Sequence, residues 1–583
     1  MFPKTVALSV LLCLALSTSG VQAQDGGHGA ENHICGTEFE SDEARQALAN
    51  FKVARTSGML ARASKTASPP DIGETKTFRV SESGWVELDF QLVDKEEGLY
   101  YLWVSADELA TGRITETVIR DLRTALVEAT PGSIINQDAG ILANNETVLG
   151  PPPDYDGDGV TDVLMYDIDP ADDTPGSFTA GYVHSADLNP NAGPTTGNQA
   201  DVLYLDSNQG ISSGATASTA AHEYAHLIHF NTGFDTETFI SEGIAEYLTV
   251  VNGLGRSRYS YLTLTTETEK PLFSWGAGSV ITNDYARAEL FFRYVGEQFS
   301  PETVASIAGN PHKGAAGIDS VLQSAGSSLD RTVLDFHSAN LVNDRRIGYG
   351  FGYNSDVQSS GVKAAVSVSF GGGSAGETPR PVNAPGVESG SVNYISFTNI
   401  SDLRIRFDVD APAVILASSR ETMAGRLIYQ DEFGAWSARD LPPADSEVVL
   451  GGNYFRVHVV FANTKPGRAF VTRYIYEASW LGSGDATPVD ESPELPEVVS
   501  LDQNYPNPFN PVTAIGFELP ETGAVKLVVF DQLGRPVQML VDGVLTAGNH
   551  VVTFDGSHLG SGSYLYVLTA GGRSITRQLT LLK

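Results

Sequence analysis

Two cysteines in 583 residues, one of them inside an N-terminal leader, leave this chain without any means of cross-linking itself. Lys4 is followed by the apolar run Val6–Leu16, and Val21-Gln22-Ala23 has the small–x–small pattern of a signal-peptidase site. Residues 1–23, with Cys13, are thus expected to be cleaved on export, so Cys35 stands alone and no intramolecular disulfide can form. An exported chain built this way must rely on large apolar cores and bound metal. At about 150 residues per domain, its length suggests three or four domains.

No later stretch approaches the roughly 20 apolar residues of a membrane-spanning helix, so a soluble, exported monomer is expected. The 37 basic and 71 acidic residues give a net charge of −34. That balance argues against nucleic acid or an anionic membrane as a partner, since both need a positive face. It suits a well-solvated protein that binds divalent cations.

Hydropathy patterning divides the chain. Residues 24–70 are polar, with a helical stretch around Glu43–Arg62, and read as a pro-region or N-terminal extension. Residues 71–110 alternate as strands do, as in Trp85-Val86-Glu87-Leu88-Asp89-Phe90. Val118, Ile119, Leu122, Ala125 and Leu126 have a helical period, whereas Val163–Ile168 and Val202–Leu205 read as buried strands. Helices are expected from about 215 to 343, closing a domain over 111–345. The Gly371-Gly372-Gly373-Ser374 run marks a boundary. Short alternating runs over 380–480 suggest a β-sandwich, an acidic, proline-bearing linker spans 481–498, and 499–583 returns to β alternation.

The chemistry concentrates in His222-Glu223-Tyr224-Ala225-His226. Residues i and i+4 share a helix face, so both imidazoles can converge on one zinc ion, and Glu223 can reach a water on it. Zinc lowers the pKa of such a water to around 7, and Glu223 can take its proton and hand it on. Ser and Thr before the motif supply N-cap candidates. One class of zinc protease adds a third histidine beyond a glycine, but those positions here are Thr232 and His229. His229 reads as a packing residue. Downstream, Phe239-Ile240-Ser241-Glu242-Gly243-Ile244-Ala245-Glu246-Tyr247 places two carboxylates one turn apart. Either could complete the site.

With these two segments the chain resembles the gluzincin peptidases, specifically the hyicolysin-like exported endopeptidases, over about residues 110–345. The resemblance implies an α+β zincin-like domain, with the glutamate before glycine, Glu242, as third zinc ligand. Glu246 then orients a histidine, although a thermolysin-like spacing selects Glu246 as the ligand. In aminopeptidase-type gluzincins a tyrosine on the next helix stabilises the oxyanion, and Tyr285 in Asn283-Asp284-Tyr285 matches it. His33-Ile34-Cys35-Gly36-Thr37 resembles the start of exported metalloprotease precursors whose thiolate caps the zinc, which makes Cys35 a candidate latency group.

Asp154-Tyr155-Asp156-Gly157-Asp158-Gly159-Val160-Thr161-Asp162 presents alternate aspartates around glycine turns. Asp154, Asp156, Asp158 and Asp162 are candidate calcium ligands. The loop is not an EF-hand, because the twelfth position is Met165 and not glutamate. Finally, Asn504-Tyr505-Pro506-Asn507-Pro508-Phe509-Asn510-Pro511, Gly562-Ser563-Tyr564-Leu565-Tyr566 and the terminal Leu581-Leu582-Lys583 are similar to the type A sorting domain of the type IX secretion system. That implies a small immunoglobulin-like sandwich read by the secretion machinery, and a destination in the medium or on the outer-membrane surface.

The expectation is therefore a multidomain chain: an α+β zincin-like metalloprotease domain followed by all-β sandwich domains, cleaving protein substrates as an endopeptidase. A zinc aminopeptidase is the near alternative, but its Gly-x-Met-Glu-Asn motif has no counterpart here. An inactive surface adhesin with a zincin fold is the distant one, and the intact His222, Glu223 and His226 count against it.

Overall fold

The computed structural model describes residues 32–37, 41–57, 60 and 69–582 apart from short stretches, the longest being 169–176, 410–420, 466–472 and 483–498. The expected leader at 1–23 and nearly all of the expected linker at 481–498 lie outside the described residues.

Seven strands form the first sheet: β1 (Asn32–Cys35), β2 (Thr75–Ser81), β3 (Trp85–Glu96), β4 (Tyr100–Ser105), β5 (Thr161–Tyr166), β6 (Ser177–Tyr182) and β7 (Val202–Asp206). Their spatial order is β1-β6-β7-β5-β4-β3-β2. The central pairs β4–β5 and β5–β7 are parallel, and these strands are buried on both faces. That is why they read as apolar runs and not as alternating ones. Leu102, Val104, Val163, Met165, Leu203 and Leu205 face the helices. Their neighbours Trp103, Leu164, Tyr166, Val202 and Tyr204 face a second core with Phe78 and Phe90. Strand β6 runs antiparallel to β7, and the short β1 lies parallel along its outer side.

The N-terminal helix α1 (Asp42–Ser57) buries Ala44, Ala47, Leu48, Phe51 and Ala54 at helical spacing, and the Phe51 ring stacks on Tyr155. The main helices that follow are α2 (Ser213–Thr232), α3 (Thr238–Val251), α4 (Ile281–Gln298) and α5 (Leu329–Val342). Helix α2 packs beneath the sheet through Ala217, Ala220, Ala221 and Tyr224. Helices α3, α4 and α5 gather around a second large core that includes Ile244, Leu248, Leu290, Phe291, Phe292 and Phe336.

Residues 380–480 form most of one long sheet dominated by the 18-residue strands Val392–Val409 and Ser446–Asn463. One face, with Tyr394, Ile428 and Val460, joins the core of the α3–α5 layer. The other, with Ile395, Phe397, Val457 and Val459, forms a separate core with Phe407, Leu427 and Tyr476 of the same sheet. Arg426, 1% exposed, reaches Asp335 of α5 at 2.7 Å. The C-terminal segment is a three-stranded and a four-stranded sheet sharing a core of Ile515, Phe517, Leu527, Val529, Tyr566 and Leu568. The chain is therefore multidomain, with helices layered on sheets and an all-β end.

Candidate metal centre

Helix α2 lies so close to β6 because Gly181 has no side chain. A Cβ there would stand 2.7 Å from Thr219 Cγ2, 2.8 Å from Tyr204 O and 3.1 Å from Glu223 Cγ. This brings Glu223 directly under the sheet edge while His222 and His226, on the same helix, turn toward α3. Helix α3 approaches α4 just as closely at Gly243, where a Cβ would meet Phe292 and Ala288. The adjacent Glu242 is thereby carried over the two imidazoles.

Three donor atoms converge. His222 Nε2 lies 3.0 Å from His226 Nε2 and 3.0 Å from Glu242 Oε2, and His226 Nε2 lies 3.4 Å from that oxygen. Tetrahedral ligands on a 2.0–2.1 Å metal are separated by about 3.3 Å, so this triangle has the dimensions of one face of a zinc site. All three side chains are buried. Burial opposes charge on Glu242 and on His222, but their contact outweighs it. Glu242 is held to about 2, chiefly by His226 and then by its bond with His222, and His222 is raised by Glu242, Glu223 and Glu246. A cluster that stabilises its own carboxylate and attracts a proton is one that a divalent cation suits.

Glu246 stands behind His222, with its Oε1 3.5 Å from Nδ1 on the far side of the ring. That is where a carboxylate orients a ligating imidazole. His229 is buried with its ring 6.1 Å from that of His226, outside the triangle, and burial lowers its pKa to about 3. Glu223 is 1% exposed, and burial raises its pKa against the pull of His222 and His226. Such a shift moves a carboxyl toward the range of a useful base.

Tyr285, in the second turn of α4, has its ring 6.2 Å from that of His222 and packs edge-on against Trp275. Burial, with Glu242 nearby, holds its hydroxyl pKa well above the ordinary value, so it stays protonated.

The N-terminal segment enters the same site. The Cys35 Sγ belongs to one cluster with His222, His226 and Glu242, their ligand atoms all within 4.8 Å of one another. Its thiol lies 3.6 Å from Glu223 Oε2, and its backbone N–H donates to Tyr285 Oη at 3.1 Å.

The aspartate loop groups differently from the pattern read in the sequence. Asp154 and Asp156 come together with Asp201, at the entrance to β7. Asp162 belongs elsewhere: it accepts bonds from Trp103 Nε1 at 2.8 Å and Lys76 Nζ at 3.3 Å because, two residues into the mainly apolar β5, its side chain points to the opposite core. Asp158 accepts from the N–H of Val160 and stays exposed outside the cluster. Neither is among the grouped ligand atoms. Asp201 carries no local signal in sequence, since it lies 47 positions beyond Asp154 and only strand pairing unites them. Thr37 is a second residue that the sequence did not single out.

Residues 503–581 match the family described as the secretion system C-terminal sorting domain. This chain carries a type IX export signal. It is therefore a protein sent to the medium or the cell surface, and its partners include that secretion machinery. Among the described residues no helix is long and apolar enough to cross a membrane. The chain is also 28% identical over 168 residues to the neutral metalloprotease ShpI of Staphylococcus hyicus, covering 26% of this chain. The chain spans 38% of that relative's length.

Proposed function

We propose that this chain is an exported zinc endopeptidase with a zincin-like catalytic domain, in which His222, His226 and Glu242 hold the metal. The carrying observation is the triangle of Nε2, Nε2 and Oε2 atoms at 3.0–3.4 Å, with a buried carboxyl, Glu223, beside it. Zinc bound there supplies Lewis acidity, lowering the pKa of a bound water and polarising a carbonyl.

The side chains do the rest. Glu223 takes the proton from the attacking water and delivers it to the leaving amine. The Tyr285 hydroxyl, kept protonated by burial, donates to the oxygen that gains negative charge. Glu246 fixes the His222 ring from behind. The likeness to a neutral metalloprotease supports the same chemistry, and β6, once the N-terminal segment with β1 is removed, supplies an edge on which an extended protein substrate can add as a strand.

The test is to purify the chain with its N-terminal segment removed, measure bound zinc by mass, and compare casein cleavage with Glu223→Gln. One zinc per chain in both proteins, with cleavage reduced by about 10²-fold or more in the variant, supports the proposal. Zinc in both and equal inertness would sink it.

A further inference from the structure

We infer that residues 32–37 are a built-in inhibitory strand that disables the metal centre at three points at once. This inference rests on the proposed zinc site and names its regulation.

Strand β1 occupies the outer side of β6, pairing Asn32 with Ser177 through Cys35 with Gly181, and Gly36 N–H extends the ladder to Gly181 O at 3.0 Å. Without it, β6 would be the sheet edge beside the metal centre, so the strand covers the surface an extended substrate needs. Gly36 permits this approach, since a Cβ there would lie 2.8 Å from Thr179 Cγ2.

Each functional group is then engaged. The Cys35 sulfur groups with the ligand atoms of His222, His226 and Glu242, so with zinc bound it would serve as a further ligand in place of water, its proton passing to solvent. Thr37 Oγ1 donates to Glu223 Oε2 at 2.9 Å, so the base is already occupied. The same hydroxyl accepts from Val183 N–H at 2.9 Å, which fixes its direction. The Cys35 N–H occupies the Tyr285 oxygen.

The backbone pairing is four residues long and parallel, the weaker of the two ladder types. The side-chain contacts therefore carry the closure, while α1, docked through Phe51, tethers the strand from its C-terminal side.

The full chain loaded with cobalt in place of zinc provides a readout independent of activity. Wild type is expected to show a sulfur-to-cobalt charge-transfer absorption that Cys35→Ser lacks, with one metal per chain in both. Casein cleavage is expected to rise at least tenfold in Cys35→Ser, and further in the double variant with Thr37→Val. If metal binds but the absorption and the cleavage are unchanged by Cys35→Ser, the inhibitory strand is refuted while the zinc site stands. If no metal binds to wild type or to Cys35→Ser, the zinc site itself fails, and this inference with it.

A second site stands on separate observations. The geometry points to a calcium ion held by Asp154, Asp156 and Asp201. Their carboxylate oxygens lie within 4.8 Å of one another. Asp201 is 2% exposed; its Oδ2 accepts from Tyr155 N–H at 2.6 Å, while its buried Oδ1 has no hydrogen-bond partner among the described residues. A buried carboxylate oxygen without a donor is costly unless a cation meets it. An all-oxygen set on a glycine-turned loop suits calcium. The loop leads into β5 and Asp201 leads into β7, and Asp162 N–H bonds Asp201 O, so the ion would clamp two central strands.

After chelation and reloading with zinc, calcium titrated into the full chain should bind by calorimetry and raise the melting temperature. Asp201→Asn and Asp154→Asn should each weaken binding at least tenfold, whereas Asp162→Asn should not. Unchanged calcium affinity in the Asp154 and Asp201 variants would overturn the site, and Asp154, being exposed, keeps the test open if the buried variant misfolds.

Discussion

Replacing Gly243 by alanine tests whether helix spacing holds the third ligand in place. The new Cβ would stand 2.5 and 2.8 Å from two ring carbons of Phe292 and 3.0 Å from Ala288 Cβ. Ordinary carbon contacts lie at about 3.5–4.0 Å, so α3 and α4 would have to part by about 1 Å. The ring cannot give instead, because Phe292 is fully buried between the rings of Phe239 and Phe291, 6.1 and 5.4 Å away. Overpacking of this kind costs about 1–3 kcal/mol, and the better helix propensity of alanine returns up to about 1 kcal/mol. A net loss of about 1–2 kcal/mol lowers the melting temperature of a domain this size by about 2–8 °C. The same displacement moves Glu242 off the imidazoles. Zinc affinity should fall at least about tenfold, and casein cleavage by the activated enzyme by about 10²-fold. Thermal melts of the chelated protein separate the packing term from the metal term, and competition with a chelator gives the affinity. A variant that melts at or above wild type and holds zinc equally well would refute the reasoning.

Other substitutions separate the remaining roles. Glu242→Gln should lower zinc affinity by about 10²-fold or more, whereas Glu246→Gln, acting through His222, should cost about 10-fold, both read by chelator competition. The reverse order would move the third ligand to Glu246. Tyr285→Phe should keep its zinc and lose about 10²–10³ in kcat with little change in KM, measured on the activated enzyme. Asp187, 1% exposed, is pushed up to about 7 by burial, against hydrogen bonds from Tyr204 and Asn198. The folded chain then holds a proton that the unfolded chain releases above about pH 4, so stability present at low pH declines between about pH 4 and 7, by up to about 4 kcal/mol. Melting curves of Asp187→Asn should lose most of that slope; an unchanged slope would assign it elsewhere.

Much of this molecule is local, and local patterns survive in sequence. The i, i+4 spacing of His222 and His226 already requires them to share a helix face, and α2 spans Ser213–Thr232 as that spacing demands. The apolar runs at Val163 and Val202 are central strands buried on both faces, which is why they do not alternate. The terminal β alternation likewise reads directly as a two-sheet segment.

What only the tertiary structure decides is which distant groups meet. Glu242 and Glu246 share a helix face, and spacing by itself left both open, with only the family resemblance favouring Glu242. Close packing of α3 on α4 at Gly243 puts Glu242 over the Nε2 atoms and Glu246 behind His222. Asp162 looked equivalent to Asp154 in the loop, yet the pleat of β5 turns it to the opposite core, and Asp201, at the entrance to β7, groups with Asp154 and Asp156 instead. The lone Cys35 shows the limit most plainly. Its scarcity excludes a disulfide, but its place beside Glu223, 188 positions away, depends on β1 adding to β6. Periodicity is a property of neighbours in the chain, whereas a site is made where strand pairing and helix packing close long loops.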